Sequence, residues 1–276
     1  MIIKHQQKRL CLGLAGCLLS TGNVFAHDPV FSPGPHVLFK DGFEIHAEFA
    51  QSEQGDEKES EQAVAFKYGL SGDWVVGIEL PYETVKDDLG TEQGVGDMTL
   101  STKYRFWRKD TLGVQETAAI VAKVKLDTGD DQVGSGTTDT LLGFTYGYES
   151  LKWYRWASVR YRFNQDRSIE NKGNLQRGDR LFVDFAGGYR PKVNDYREAD
   201  TVWLLEFNGE YSGRNAFNGV NRNNTGGSQW FVSPGIMWTL RNFAVKAGVQ
   251  IPVLSNLNGE QDDSDYRARL EFEWHL

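Results

Sequence analysis

Residues 266–276 read Tyr-Arg-Ala-Arg-Leu-Glu-Phe-Glu-Trp-His-Leu, an unbroken alternation of apolar and polar side chains. In an extended strand this places Tyr266, Ala268, Leu270, Phe272, Trp274 and Leu276 on one face. Arg267, Arg269, Glu271, Glu273 and His275 fall on the other. A helix would scatter both sets around its axis. Roughly 9–11 residues is the length of strand that crosses a bilayer at a tilt, so the apolar face is suited to lipid. The other face carries five polar or ionisable groups in succession and must meet something wetter.

The same period recurs from about residue 42 onward, and no other stretch carries a convincing helical period. Phe43, Ile45, Ala47 and Phe49 alternate with Glu44, His46 and Glu48; Trp74, Val76, Ile78 and Leu80 have Glu79 opposite. Comparable segments follow around residues 64–70, 98–106, 120–126, 142–148, 157–163, 181–185, 203–211, 230–240 and 243–251. Together with the last segment they make about twelve strands. Pro234 cannot donate to a ladder and is expected to mark a bulge. Tight connections at 71–73, 150–152 and 241–242 alternate with long polar loops at 52–61, 83–95, 127–138, 164–178, 212–228 and 253–264. The connection near 191–200 sits in the short register. This alternation predicts an all-β fold: a closed antiparallel transmembrane β-barrel of about 12 strands, with short periplasmic turns and long extracellular loops. Both termini then lie on the periplasmic side. Trp74, Trp107, Trp153, Trp203, Trp230, Trp238 and Trp274 fall near strand ends, where amphipathic rings settle at membrane interfaces.

The chain opens with Lys4, Lys8 and Arg9, a short apolar run over residues 10–19, and Val24-Phe-Ala26, the pattern of a secretory signal peptide. Leu14-Ala-Gly-Cys17 resembles a lipobox, but the apolar run continues through Leu18 and Leu19, so cleavage after Ala26 is expected. The expected organisation is a signal peptide at 1–26, a periplasmic N-terminal lead at 27–41 and an outer-membrane barrel at 42–276. Both cysteines, Cys11 and Cys17, fall in the removed segment, leaving no disulfide. Loss of its three basic residues takes the net charge from −8 to about −11, which argues against nucleic acid as a partner. A mean hydropathy of −0.50 does not exclude a membrane protein, because only alternate residues of a barrel strand face lipid.

Several stretches resemble an outer-membrane transporter family named for the meta-pathway of phenol degradation (MetA-like). They are Val76-Gly-Ile-Glu-Leu-Pro-Tyr82, Gly96-Asp-Met-Thr-Leu-Ser-Thr-Lys-Tyr-Arg-Phe106, Val124-Lys-Leu-Asp-Thr-Gly129, Gly134-Ser-Gly-Thr-Thr-Asp139, Ser233-Pro-Gly235 and Gly248-Val-Gln-Ile-Pro252. These motifs describe barrel corners and turns rather than chemistry. Asp127 stands where that family more often has proline. The resemblance implies an outer-membrane barrel that passes a small, aromatic or hydrophobic solute.

The inward register collects the candidate functional residues. Lys67, Glu79, Lys103, Arg105, Lys123, Lys125, Arg160, Arg162, Asp184, Glu206, Lys246, Arg267, Arg269 and Glu271 are all expected to point into the lumen. There they either form an electrostatic filter or pair across strands and fill the interior. His46 between Glu44 and Glu48, together with His27 and His36 in the lead, is the weak candidate set for a metal. The lead itself is either a flexible periplasmic segment or a plug. Asp127-Thr-Gly129 imitates an aspartic-protease loop, but a second copy is missing. A lipid hydrolase needs serine and histidine together on the lipid-facing rim, whereas His46 and His275 are both placed inward. No enzyme and no cofactor are therefore expected.

The function expected is passive uptake of a small solute across the outer membrane of a Gram-negative bacterium. The alternative is a non-conducting structural or adaptor barrel that binds a partner or metal through its loops or lead. Expected partners are outer-membrane lipid, the solute, and the barrel assembly machinery through the C-terminal strand.

Overall fold

Each alternating segment can satisfy its backbone inside a bilayer only by pairing on both sides, which forces the sheet to close. That closure is present. In the computed structural model, which describes residues 27–169, 173–195 and 198–276, the strands are β1 (Phe43–Gln54), β2 (Glu57–Ser71), β3 (Trp74–Asp87), β4 (Gly90–Val95), β5 (Thr99–Thr111) and β6 (Val114–Lys125). They continue as β7 (Asp139–Ser150), β8 (Trp153–Phe163), β9 (Arg167–Ile169), β10 (Gly173–Gln176), β11 (Arg180–Tyr189) and β12 (Asp200–Ser212). The remainder are β13 (Ala216–Phe217), β14 (Val220–Asn221), β15 (Gly227–Leu240), β16 (Phe243–Leu257) and β17 (Ser264–His275).

Twelve of these form the closed antiparallel barrel, in the order β1-β2-β3-β5-β6-β7-β8-β11-β12-β15-β16-β17. The final segment closes the barrel on β1, running in register from Glu44 opposite His275 to Glu53 opposite Tyr266, with a shift before Gln54 meets Ser264. β4 folds back on the outer end of β3, and β9, β10, β13 and β14 make a small sheet over the loop end. The signal-peptide segment lies outside the described residues.

Burial is inverted relative to a water-soluble sheet. Ile120, Phe185, Leu205 and Ile251 are about half exposed on the outer surface, whereas Asp184, Glu206, Lys246 and Glu271 are almost wholly buried inside. An outward apolar belt around a polar interior, on a closed barrel of even strand number, is the architecture of Gram-negative outer-membrane proteins and puts the belt in that bilayer. Trp74, Trp107, Trp153, Trp203, Trp238 and Trp274 all stand toward the end that holds the short turns. Several pack against neighbouring rings there, with tilted rings whose centroids are 4.6 Å apart for Trp153–Tyr189 and for Phe243–Trp274. Trp230 stands toward the opposite end, 4.8 Å from Phe207.

Three sequence expectations change. The polar stretches 52–61, 83–95 and much of 253–264 are strand extensions rather than loops, with only Gly55 and Asp56 turning between β1 and β2. Above the membrane both faces of a strand meet water, so apolar alternation vanishes while the ladder continues. A further tight turn at Leu112 and Gly113 joins β5 to β6. Pro234 leaves a gap in the ladder to β16, unpaired along with Ser233, but the register shift itself lies earlier, between Trp230 and Phe231.

Candidate functional site

The interior of the barrel is occupied from the short-turn end by residues 27–38, and their backbone decides where those residues can sit. Val30, Phe31 and Ser32 present three successive N–H groups, and Glu206 on β12 faces them at the barrel wall. Its Oε1 accepts from Val30 N at 2.8 Å and Phe31 N at 3.1 Å; its Oε2 accepts from Ser32 N at 3.1 Å and Ser32 Oγ at 2.7 Å. Glu206 is 1 % exposed, so its charge is compensated by this small nest of donors rather than by water.

The other side of the segment is apolar. Val30 packs into a buried cluster with Trp156, Ala186, Val202, Leu204 and Met237, and Phe31 and Tyr154 lie against it. Two glycines admit this close approach. A Cβ at Gly248 would stand 2.8 Å from the Phe31 ring, and one at Gly147 would stand 2.8 Å from Pro35. Further bonds run along the segment: Thr145 Oγ1 donates to Pro33 O at 2.8 Å, Arg269 Nη1 donates to Val30 O at 2.9 Å, and Lys103 Nζ meets Asp28 Oδ2 at 2.7 Å. His36 bonds Glu149.

Beside the start of this segment lies a buried charge cluster. Lys246 on β16 sits between Glu271 Oε2 at 2.5 Å and Glu273 Oε1 at 2.8 Å. Glu273 Oε2 takes His27 Nδ1 at 2.6 Å. Lys67 meets Glu44 at 2.7 Å and Arg269 meets Glu48 at 2.9 Å. His46 lies 3.8 Å from Glu271 and 4.0 Å from Glu48, beyond hydrogen-bond range.

Three donor sets could close on a cation: His27 with Glu273 and His275, Glu44 with His46 and Glu273, and His46 with Glu48 and Glu271. Lys246 already places a fixed positive charge on both Glu271 and Glu273, which opposes a metal ion in all three. The sequence candidates His27, His36 and His46 do not converge on one site: His36 is drawn to Glu149, and the other two belong to different sets.

Among the described residues, two chambers open beside the segment. The larger, about 690 Å³, is lined by Glu44, His46, Lys67, Glu79, Lys103, Arg105, Lys123 and the charge cluster, with Val75, Val121 and Leu141 as an apolar patch. The smaller, about 490 Å³, lies toward the loop end between Glu57, Glu59 and Glu61 on one wall and Arg162, Arg180, Phe182 and Asp184 on the other. Phe31, Arg160, Arg162 and Arg269 line both chambers, so the two abut where Phe31 packs under Arg269, whose Cζ stands 5.4 Å from the ring centroid.

Most of the inward candidates therefore reach a chamber, and several are already paired. Arg160 bonds Asp184 at 2.7 Å, Arg267 bonds Glu210 at 2.5 Å, and Arg105 bonds Asp73 at 2.8 Å by the short-turn rim. Two candidates line neither chamber. Glu206 holds the inserted segment. Lys125 ties Asp139 at 2.8 Å in a loop-end staple that also includes Asp97 and Arg177. In that staple, burial alone would raise the Asp97 pKa. Donors from Ser135 and Gly129 and the Lys125 charge outweigh it and hold the carboxyl below its ordinary value.

Sequence reasoning missed Val30, Phe31, Ser32, Trp156, Arg180 and Phe182. Trp156 was the one tryptophan without an interfacial place, and Phe182 is an aromatic in the inward register. Both departures from the barrel pattern were visible signals of a filled lumen.

A family model described as "Putative MetA-pathway of phenol degradation" matches residues 26–256. Among solved structures, an outer-membrane channel from Pseudomonas putida F1 is similar with a TM-score of 0.70 and 14 % identity, covering 89 % of this chain and 99 % of that one. The NanC porin is similar with a TM-score of 0.53 and 10 % identity, covering 84 % of this chain and 100 % of that one. At these identities the likeness is one of fold. No curated protein sequence matches the chain.

Proposed function

The chain belongs to the phenol-degradation MetA family, and from that premise we propose that it is an outer-membrane channel for passive uptake of a small solute. The observation that carries this reading is the pair of abutting chambers with largely polar walls, about 690 and 490 Å³, left open beside the inserted segment. Ligand sites for small molecules typically fall in the range of roughly 300–1,000 Å³. The patch of Val75, Val121 and Leu141 beside Lys103 and Lys123 supports a solute with an apolar body and a polar end. Residues 1–26 serve as a removable leader and 42–276 as the barrel. Residues 27–41, placed in the sequence reading as a periplasmic lead, act as a lumenal segment that sets the bore. Assembly machinery would recognise the closing strand through outward Phe272 and Trp274. The protein is not an enzyme in this reading.

Planar-bilayer recording of the purified barrel tests it. Discrete ion conductance that rises in Phe31→Ala is expected, because Phe31 lines both chambers. Absence of conductance in both proteins would leave the alternative, a filled structural barrel. The specific observation favouring that alternative is the four-fold anchoring of the segment on Glu206.

A further inference from the structure

The loop-end chamber has two walls of opposite sign, and the basic wall contains an unexplained juxtaposition. Arg162 on β8 and Arg180 on β11 are direct cross-strand partners, and both line the chamber. Like charges directly opposite one another destabilise a sheet. The nearby acids that could relieve them are already taken. Asp184 accepts from Ser158 at 2.6 Å, Arg160 at 2.7 Å and Asn208 at 2.9 Å. Glu210 holds Arg267 through two bonds of 2.5 and 3.2 Å. Asp139 is shared by Lys125 and Arg177. Among the described residues, neither Arg162 nor Arg180 has an ion-pair partner.

One rung below, Arg160 is the cross-strand partner of Phe182. The Phe182 ring props two guanidiniums, with Arg160 Cζ 5.0 Å and Arg162 Cζ 5.4 Å from its centroid. The opposite wall repeats the pattern with reversed sign. Glu57, Glu59 and Glu61 face the chamber from β2, and Glu61 is the direct partner of Glu83 on β3. Among the described residues none of Glu57, Glu59 and Glu61 is ion-paired. β2 lies five strands from β8 around the barrel, so the two walls stand across the lumen from each other.

We propose that Arg162 and Arg180 form a binding rung for the carboxylate of a small organic acid. Two guanidinium forks side by side match the paired oxygens of a carboxylate. The ligand would supply the negative charge that the wall itself withholds. The acidic wall repels the same group, so the carboxylate is confined to one side and the rest of the molecule points toward the lumen axis. The rung deepens the channel reading, on which its meaning for uptake rests, by naming the solute class.

The test measures binding separately from conduction. The intact barrel in detergent is titrated with sodium benzoate and, in parallel, with benzamide, its neutral analogue, by calorimetry. Saturable benzoate binding that weakens about tenfold or more in R162Q/R180Q is expected, with benzamide binding much more weakly throughout. The double variant should keep the heat-modifiable gel shift of the folded barrel. If it fails to fold, R162K/R180K takes its place: it keeps the charges, loses the fork geometry and should bind benzoate more weakly than the parent. Equal affinity for benzoate and benzamide, or benzoate binding unchanged in both variants, overturns the proposal. Binding without bilayer conductance would sink the channel reading and leave the rung standing; conductance without binding would do the reverse.

Discussion

Replacing Glu206 with glutamine should release the inserted segment while leaving the barrel closed. The carboxylate accepts four hydrogen bonds, from Val30 N, Phe31 N, Ser32 N and Ser32 Oγ, at 2.7–3.1 Å. Glutamine keeps one acceptor oxygen and turns an NH₂ toward the other donors, so about two of the four bonds are lost and donors face a donor. A hydrogen bond to a charged group contributes roughly 1.5–3 kcal/mol, and a neutral one about 1 kcal/mol. Allowing for water that rehydrates the freed donors, the net cost to docking is on the order of 2–4 kcal/mol. At about 1.4 kcal/mol per decade, the undocked population rises roughly 30- to 700-fold.

Hydrogen exchange monitored by mass spectrometry reads that population directly. Peptides covering Val30, Phe31 and Ser32 should exchange faster by that factor in E206Q, while peptides from β7 and β16 stay protected. Glu206→Asp, which keeps the charge but shortens the reach, should fall between the two. Unchanged protection of the 30–32 amides in E206Q would refute the view that Glu206 holds the segment in place.

Lys246→Met leaves Glu271 and Glu273 buried with one cation fewer. Removing one partner of a buried pair costs about 3–5 kcal/mol, so the folded band on a heated gel should disappear at a lower temperature than in the parent. Gly248→Ala places a Cβ 2.8 Å from the Phe31 ring and should displace that ring, raising conductance without lowering the melting temperature by more than the alanine itself costs. A conductance equal to the parent's would remove Phe31 from the bore. The loop staple predicts acid sensitivity. The Asp97 carboxyl is held below its ordinary value of 3.8, so its contribution is present above that value and is lost as pH falls through the lowered one. Exchange at Gly129 and Ser135 should therefore accelerate in strong acid, and D97N should show that fast exchange at neutral pH.

The fold was legible because lipid imposes a rule that every crossing strand obeys separately. Leu100, Ile120, Phe144, Val159 and Leu205 each announce an outward face through their immediate neighbours. Where lipid ends, the rule ends: Glu57-Lys-Glu-Ser-Glu continues β2 beyond the apolar belt, and nothing in its composition distinguishes it from a loop. The inward register was legible in the same way, which is why Lys103, Arg160, Arg162 and Arg269 are found lining the chambers. Their partners were not. Arg160 is neutralised by Asp184 on the neighbouring strand, while Arg162, two residues on, is left to face Arg180. The period is identical for both, so only the register between β8 and β11 separates a filled charge from an open one.

Alternation along single segments thus settles the barrel, its strand number, its lipid-facing belt and the list of side chains turned inward, since each is a local consequence of strand geometry beside hydrocarbon. The bore is a different matter. His27 meets Glu273 across 246 positions of sequence, and Val30 meets Glu206 across 176. Residues 27–38 show no period that ties them to any wall, and Gly147 and Gly248 acquire their role only because Pro35 and Phe31 press against them. How much of the lumen stays open depends on contacts between residues distant in the chain, which exist only once the barrel has closed around the segment.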